Sequence, residues 1–529
     1  MKEAFILYIL LIFLILLLVM AAQKLRVASP LLLVAGGLLL SWIPALSHIQ
    51  IDPELIFLIF LPPLLYEAAW STSWKEMWRW RRVIIVFAIL IVILTSGVVA
   101  LVAWAWIPGF TLALGFLLGG IVSPPDAISA TSVMHLVRVP RRLTHILEGE
   151  SLLNDASSLI IYRFALAAVD TGRFIFRDAL GSFLLVIIMG VATGVIVGLV
   201  YYAILRWLPT NPEIDIVLSL TAPYVMYLAA EAYHFSGVLA VVSGSLFLST
   251  RSFQILSHRS RIRGSNVWST IGFVLNGLIF MLIGLELPEI IRLLGNVSLA
   301  QATIYGLGIT LLLIIARFLC TMGASVFTVF ISRFITTADS RPGWKAPLLI
   351  GWAGMRGVVS LAAALSIPFT LSTGAAFPQR DLILFITFVV IVITLLVQGL
   401  SMPWVIRRVN MKDPDHELSP EEQDLEVRKQ LTEFGLAFLD QHYSANVSAN
   451  PLLRQLRSRL CTDNEQLQRQ SHEVQVEYKK IYLKVLKEQR RFLLRLNKSL
   501  LNDEDIIRKY QQILDLEQEK LMCLYEGNW

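Results

Sequence analysis

Five polar residues in one apolar stretch set out the chemistry open to this chain. They are Glu148, Glu150, Ser151, Asn154 and Asp155, in LTHILEGESLLNDASSLIIYRFA over residues 143–165. Read as a membrane-spanning helix, the stretch carries acids that cost about 2.5–3.5 kcal/mol each on insertion scales, so they answer to a partner or a wet cavity. Helical spacing puts Glu148, Ser151 and Asp155 on one stripe and Glu150 and Asn154 on an adjoining one. The plain structural alternative is an ion pair. A further carboxylate, Asp126, follows Ser123-Pro124-Pro125 in the preceding apolar segment. Carboxylate, hydroxyl and carbonyl oxygens are what a hard cation needs on shedding water, and Pro125 offers only its main-chain carbonyl. Two carboxylates facing one cavity repel, which favours a proton on the pair. A group that holds either a proton or a cation couples the two by competition, and alternating exposure exchanges them. Two arginines in apolar runs, Arg317 and Arg356, require counter-ions. Glu150 is a candidate partner for Arg317; in that case Glu150 organises the site and Asp155 titrates. Glu67 is a further intramembrane acid.

These residues need membrane helices to hold them. The chain has 529 residues and is 56% hydrophobic, with a mean hydropathy of +0.66; a soluble protein is nearer 45–50% apolar. Apolar runs of the length that crosses a bilayer predict about thirteen spans. They lie at roughly 4–22, 29–48, 53–70, 83–106, 110–137, 143–169, 178–205, 214–233, 236–250, 267–288, 299–331, 345–370 and 381–406. The run from Phe5 to Ala22 is too long for a signal-peptide core and lacks a cleavage site before Lys24, so it reads as a span. Cys320 lies in an apolar run and Cys461 and Cys523 in a polar tail, which predicts no disulfide.

The net charge of +6 is spread over short loops, which argues for insertion topology rather than nucleic acid. Basic residues cluster after alternate spans: Lys24 and Arg26; Lys75, Arg79, Arg81 and Arg82; Arg138, Arg141 and Arg142; Arg251, Arg259, Arg261 and Arg263; Arg333, Arg341 and Lys345; Arg407 and Arg408. Arg173, Arg177 and Arg380 are exceptions. The alternation predicts an outside N-terminus and a cytoplasmic C-terminus.

An odd span count with span 7 as linker leaves two six-span halves of opposite orientation, the topology of inverted-repeat transporters. Spans 5 and 12 then correspond, and both look interrupted. Span 5 carries Gly119, Gly120, Ser123, Pro124, Pro125 and Asp126; span 12 carries Gly351, Gly354 and Gly357 around Arg356. Consecutive prolines remove backbone donors. Unwound backbone at membrane depth persists only where protein or water satisfies it. Glycine and proline are also common in membrane helices for packing alone.

STSWKEMWRWRR over residues 71–82 reads as an interfacial belt of Trp74, Trp78 and Trp80. His135, His145 and His234 near span ends read as structural. From about Met411 the composition turns polar and charged, with helical periodicity and a helix start at Ser419-Pro420-Glu421-Glu422. The expected domains are an exchanger domain over residues 1–410 and a cytoplasmic helical tail over 411–529.

The run SPPDAISATSVMHLVRVPRRLTHILEGESLLNDASSLIIYRF resembles the monovalent cation:proton antiporter type 1 family, which holds bacterial sodium/proton antiporters and animal sodium/proton exchangers. LPPLLYEAAW at 61–70, FMLIGLEL at 280–287, IIARFL at 314–319 and GMRGVVSLA at 354–362 match in the same order. The likeness covers about residues 1–410. It implies an all-α polytopic fold of about thirteen transmembrane helices, built as two inverted six-helix repeats with crossed broken helices, and a homodimer. It implies that Asp155 of the Asn-Asp pair binds ion and proton, and that sodium sits at Asp155, Asp126 and Ser151 with the Pro125 carbonyl. It implies a Glu150–Arg317 pair, with Arg356 beside the broken span 12. Members with Asn-Asp here are electroneutral, one cation for one proton. The family often has Thr-Asp-Pro where this chain has Pro125-Asp126-Ala127, so a threonine hydroxyl is lost.

The expected function is sodium (or lithium)/proton antiport in the cell membrane for pH and sodium homeostasis, with cation, proton and membrane lipid as partners and no cofactor. Potassium/proton exchange is a close variant. A cation channel is a different class, which needs no proton-competent acid. An enzyme is disfavoured: the chain has no HExxH, no GxxxxGK[ST] and no GxSxG.

Overall fold

The computed structural model describes residues 2–25, 29–42, 53–126, 130–131, 134, 139–172, 176–292, 294, 297–331, 343–411, 420–469, 472–496 and 504–525. It divides into two compact units, Met1–Asp413 and Pro414–Trp529.

The first unit is a run of apolar helices: α1 (Lys2–Leu25), α2 (Ser29–Leu40), α3 (Pro53–Ser71), α4 (Arg81–Trp106), α5 (Leu112–Val122), α6 (Arg141–Thr171), α7 (Phe176–Trp207), α8 (Pro212–Glu231), α9 (Gly237–Thr250), α10 (His258–Arg292), α11 (Leu299–Ile331), α12 (Lys345–Trp352), α13 (Val358–Leu365) and α14 (Arg380–Val409). Among the described residues seven of them are long and apolar enough to cross a membrane. The predicted spans fall on these helices in order, with α12 and α13 the two halves of one span.

Local sequence explains the starts and stops. Thr111 caps α5 by accepting from the Leu114 N–H at 3.2 Å. The helix stops where Pro124 and Pro125 remove two backbone donors. Asn211 caps α8 at 2.8 Å, with Pro212 in the first helical position. The helices then pack through small residues, as helices do where lipid gives no hydrophobic drive. A Cβ on Gly115 or Gly119 would lie 2.5 Å from the carbonyl oxygen of Ala100 or Ser96. The two glycines therefore let α5 lie directly on α4. Leu117, Leu118, Ile121, Ile383 and Ile386 are buried together and press the other side of α5 onto α14.

Two features depart from the sequence reading. Trp80 is no belt residue: it is 1% exposed and lies under the Arg142 guanidinium, 4.6 Å from the ring centroid. Trp74 and Trp78 remain exposed. Arg380, an exception to the loop charges, is buried. It donates to the carbonyls of Ile367 at 2.9 Å and Leu365 at 3.3 Å, so it neutralises the C-terminal end of α13.

The second unit holds α15 (Pro420–His442), α16 (Pro451–Arg469), α17 (His472–Leu496) and α18 (Glu504–Tyr525). Arg457 of α16 donates to Asp440 of α15 at 2.8 Å, and Arg490 of α17 to Asp515 of α18 at 2.7 Å. Pro420 opens α15 at the expected start; Ser419 lies outside the described residues.

Candidate functional site

Two interruptions meet inside the membrane unit. One is Ser123–Asp126 after α5; the other is Ala353–Gly357 between α12 and α13. The Asp126 N–H donates to the Met355 carbonyl at 2.7 Å, so each loop satisfies backbone that no helix serves.

Both helix ends at this crossing face a charge of opposite sign. Arg356 is fully buried. Its guanidinium donates to the carbonyls of Val122 at 2.8 Å and Ser123 at 3.3 Å, at the negative end of α5. It also donates to Gly354, and its own N–H is held by Thr394 Oγ1 at 3.2 Å. Gly357 is the N-cap of α13, and the Asp126 carboxylate lies so close that a Cβ on Gly357 would overlap it. A carboxylate there faces the positive end of α13.

α6 supplies the remaining groups. Glu150 and Arg317 are 0% and 1% exposed and form a two-pronged fork, Nη1 to Oε1 at 2.8 Å and Nη2 to Oε2 at 3.1 Å. Arg317 Nη2 also donates to the Ile350 carbonyl in the last turn of α12, at 3.3 Å. The fork thus ties α6, α11 and the first half of the broken pair together. Asn154 is fully buried and donates from Nδ2 to the Pro125 carbonyl at 2.9 Å, which clamps the other interruption. Its Oδ1 has no hydrogen-bond partner.

Between these clamps lies a cavity of about 240 Å³, whose lining includes Glu67, Asp126, Glu148, Ser151, Asp155 and Gly357. The stripe predicted from spacing, Glu148, Ser151 and Asp155, faces it whole. Glu150 and Asn154, on the adjoining stripe, are turned instead to Arg317 and Pro125. Glu67, read only as an intramembrane acid, lines the cavity as well. Glu148 shares this face with Asp155, as its spacing on the helix predicts. Thr131, Asn276 and Ser360 also line it and carried no sequence signal. His145 stands 3.6 Å from Glu148; His135 and Ala127 lie outside the described residues. Among the described residues no three His, Cys, Asp and Glu side chains converge to hold a metal. At the crossing, Asp126, Asp155 and Ser151 bring carboxylate and hydroxyl oxygens to the cavity lining, and the Pro125 carbonyl accepts from Asn154.

Half-helices that meet at unwound centres, with carboxylates beside them, are the arrangement in which secondary-transporter folds place their ion sites. The chain belongs to the sodium/hydrogen exchanger transmembrane family, whose pattern matches residues 9–408. It is 34% identical over 386 residues to a "Sodium, potassium, lithium and rubidium/H(+) antiporter" of Bacillus pumilus, which covers 71% of this chain and 57% of that one. The chain thus matches little more than half the length of that relative. It is 31% identical to the "Na(+)/H(+) antiporter ApNhaP" of Aphanothece halophytica, over 73% of this chain and 70% of that one. The solved structure of the sodium proton antiporter MjNhaP1 from Methanocaldococcus jannaschii superposes with a TM-score of 0.62 at 17% identity, over 76% of this chain and 97% of that one. The fold is therefore the all-α antiporter fold of two inverted six-helix repeats with crossed broken helices.

Proposed function

We propose that this protein exchanges a monovalent cation, sodium or lithium, for a proton across the cell membrane, one for one, by competition at Asp155. The observation that carries the reading is the cavity joining Asp155, Asp126 and Ser151 beside the helix crossing. Glu150 is neutralised by Arg317 and the Asn154 amide is held by the Pro125 carbonyl, so Asp155 and Asp126 are the crossing's carboxylates that face the cavity. A dehydrated cation finds carboxylate and hydroxyl oxygens there. With the cation gone, two carboxylates in a confined space favour a proton instead. Electroneutral exchange follows if one carboxylate carries one charge of either kind. Exchange of this kind adjusts internal pH and sodium. The clusters of basic residues after alternate spans support an outside N-terminus and a cytoplasmic tail; the homodimer rests on the resemblance. Potassium is the second reading, supported by the potassium in the Bacillus pumilus relative's description.

Proteoliposomes with an imposed pH gradient and a pH-sensitive dye test the proposal. Sodium, lithium and potassium are added in turn. Wild type is expected to dissipate the gradient with its substrate ions. Asp155→Asn should abolish exchange while still folding, because it removes the exchangeable proton and nearly keeps the side chain's shape. Exchange at the wild-type rate in Asp155→Asn would overturn the mechanism. Cation flux that needs no opposing proton gradient would replace it with a channel.

A further inference from the structure

On another face of the membrane unit, α11, α12 and α14 enclose a second hollow, of about 590 Å³. It shares no lining residue with the acidic cavity. Its walls are apolar: Ile315 and Phe318 from α11, Leu348 from α12 and Val405 from α14. Trp344 and Trp404 also line it and are 57% and 69% exposed. Arg408 is the charged side chain among the described residues of its lining. It sits in the last turn of α14, is exposed, and has no hydrogen bond or ion pair among the described residues.

Three features of this groove converge on one occupant. Tryptophan and arginine at the end of a membrane helix mark the headgroup level of a bilayer. A guanidinium with its donors unused matches a phosphate in shape and charge. An apolar trough running from that level along α11 and α12 accepts an acyl chain, and the volume lies within the about 300–1,000 Å³ of ligand pockets. We propose that the groove is a binding site for one anionic phospholipid, with its phosphate on Arg408 and an acyl chain against Ile315, Phe318 and Leu348. α12 forms one side of the groove and is also the half-helix whose Ile350 carbonyl receives Arg317. A lipid seated there packs directly on the broken pair. The proposal does not depend on the exchange reaction.

Native mass spectrometry of the detergent-purified full chain tests it, with phosphatidylglycerol or phosphatidylcholine added. Wild type is expected to retain phosphatidylglycerol preferentially. Arg408→Ala should cut that retention about tenfold, the factor for one lost charge-assisted contact. Arg407→Ala removes the same charge from the neighbouring position, outside the groove, and should retain the lipid. Ile315→Trp fills the groove and should exclude both lipids. Melting temperatures without added lipid confirm that each variant is folded. Equal retention of the two lipids by wild type, an unchanged Arg408→Ala, or an equal fall in Arg407→Ala would each overturn the site.

Discussion

Two arginine–carboxylate forks of the same chemistry stand in opposite surroundings. Arg317–Glu150 in the membrane unit and Arg457–Asp440 in the tail both close at 2.8 Å. The side chains of the first are 2% and 1% exposed; those of the second are 44% and 47% exposed. In water the attraction is screened and a pair of this kind contributes little to stability. In a dry interior each charge has lost its hydration, so the partner becomes indispensable. The comparison separates a contact that fixes geometry from one that decorates it. The buried fork spends three buried donor–acceptor contacts on holding α6, α11 and α12 beside the cavity. Five residues further along α6, Asp155 is left without such a partner and faces the cavity.

The largest effect should come from breaking the buried fork. Glu150→Ala strands Arg317 as a lone charge, and removal of one member of a buried pair costs about 3–5 kcal/mol. Thermal unfolding in detergent should show the loss. Arg317→Met in the same chain removes the stranded charge and should recover much of it. The four proteins form a double-mutant cycle, and strictly additive losses would mean that the fork is not a unit.

Gly357→Ala probes the second side of the comparison, the carboxylates that face the cavity. A Cβ there would collide with the Asp126 side chain, Cβ included, so the carboxylate must leave its place at the end of α13. The half-maximal cation concentration for exchange should rise about tenfold, equivalent to about 1.4 kcal/mol of lost binding. The melting temperature should move much less than in Glu150→Ala. An unchanged half-maximal concentration would remove Asp126 from the ion site.

Much of this arrangement is legible in the sequence because it depends on local rules. Pro124-Pro125 and the glycines around Arg356 announce the two interruptions, since each acts on its own backbone. The stripe of Glu148, Ser151 and Asp155 follows from helical spacing. What spacing leaves open is the partner on the far side. Nothing local to Asn154 says that its amide clamps a carbonyl 29 residues earlier. Nothing in RWRR says that Trp80 turns inward beneath Arg142. Glu67 and Asn276 reach the cavity from α3 and α10, and only tertiary packing brings them there.

The smallest effect belongs to the tail fork, and its pH dependence sharpens the contrast. The hydrogen bond from Arg457 holds the Asp440 carboxyl below its ordinary value near 3.8. A carboxylate whose value falls on folding adds stability above its unfolded value, and that contribution fades as pH drops through the folded one. Near neutral pH the contribution is therefore present in full, yet it is small because both groups stay in water. Asp440→Asn should leave the melting temperature and exchange unchanged. It should slightly speed hydrogen exchange of the amides in α15 and α16 at neutral pH. Salt at 1 M, where charges are screened beyond about 3 Å, should erase that difference, while it leaves the effect of Glu150→Ala intact. A large, salt-resistant loss in Asp440→Asn would show that the tail fork is shielded from water in the working protein, and the distinction between the two forks would then fail.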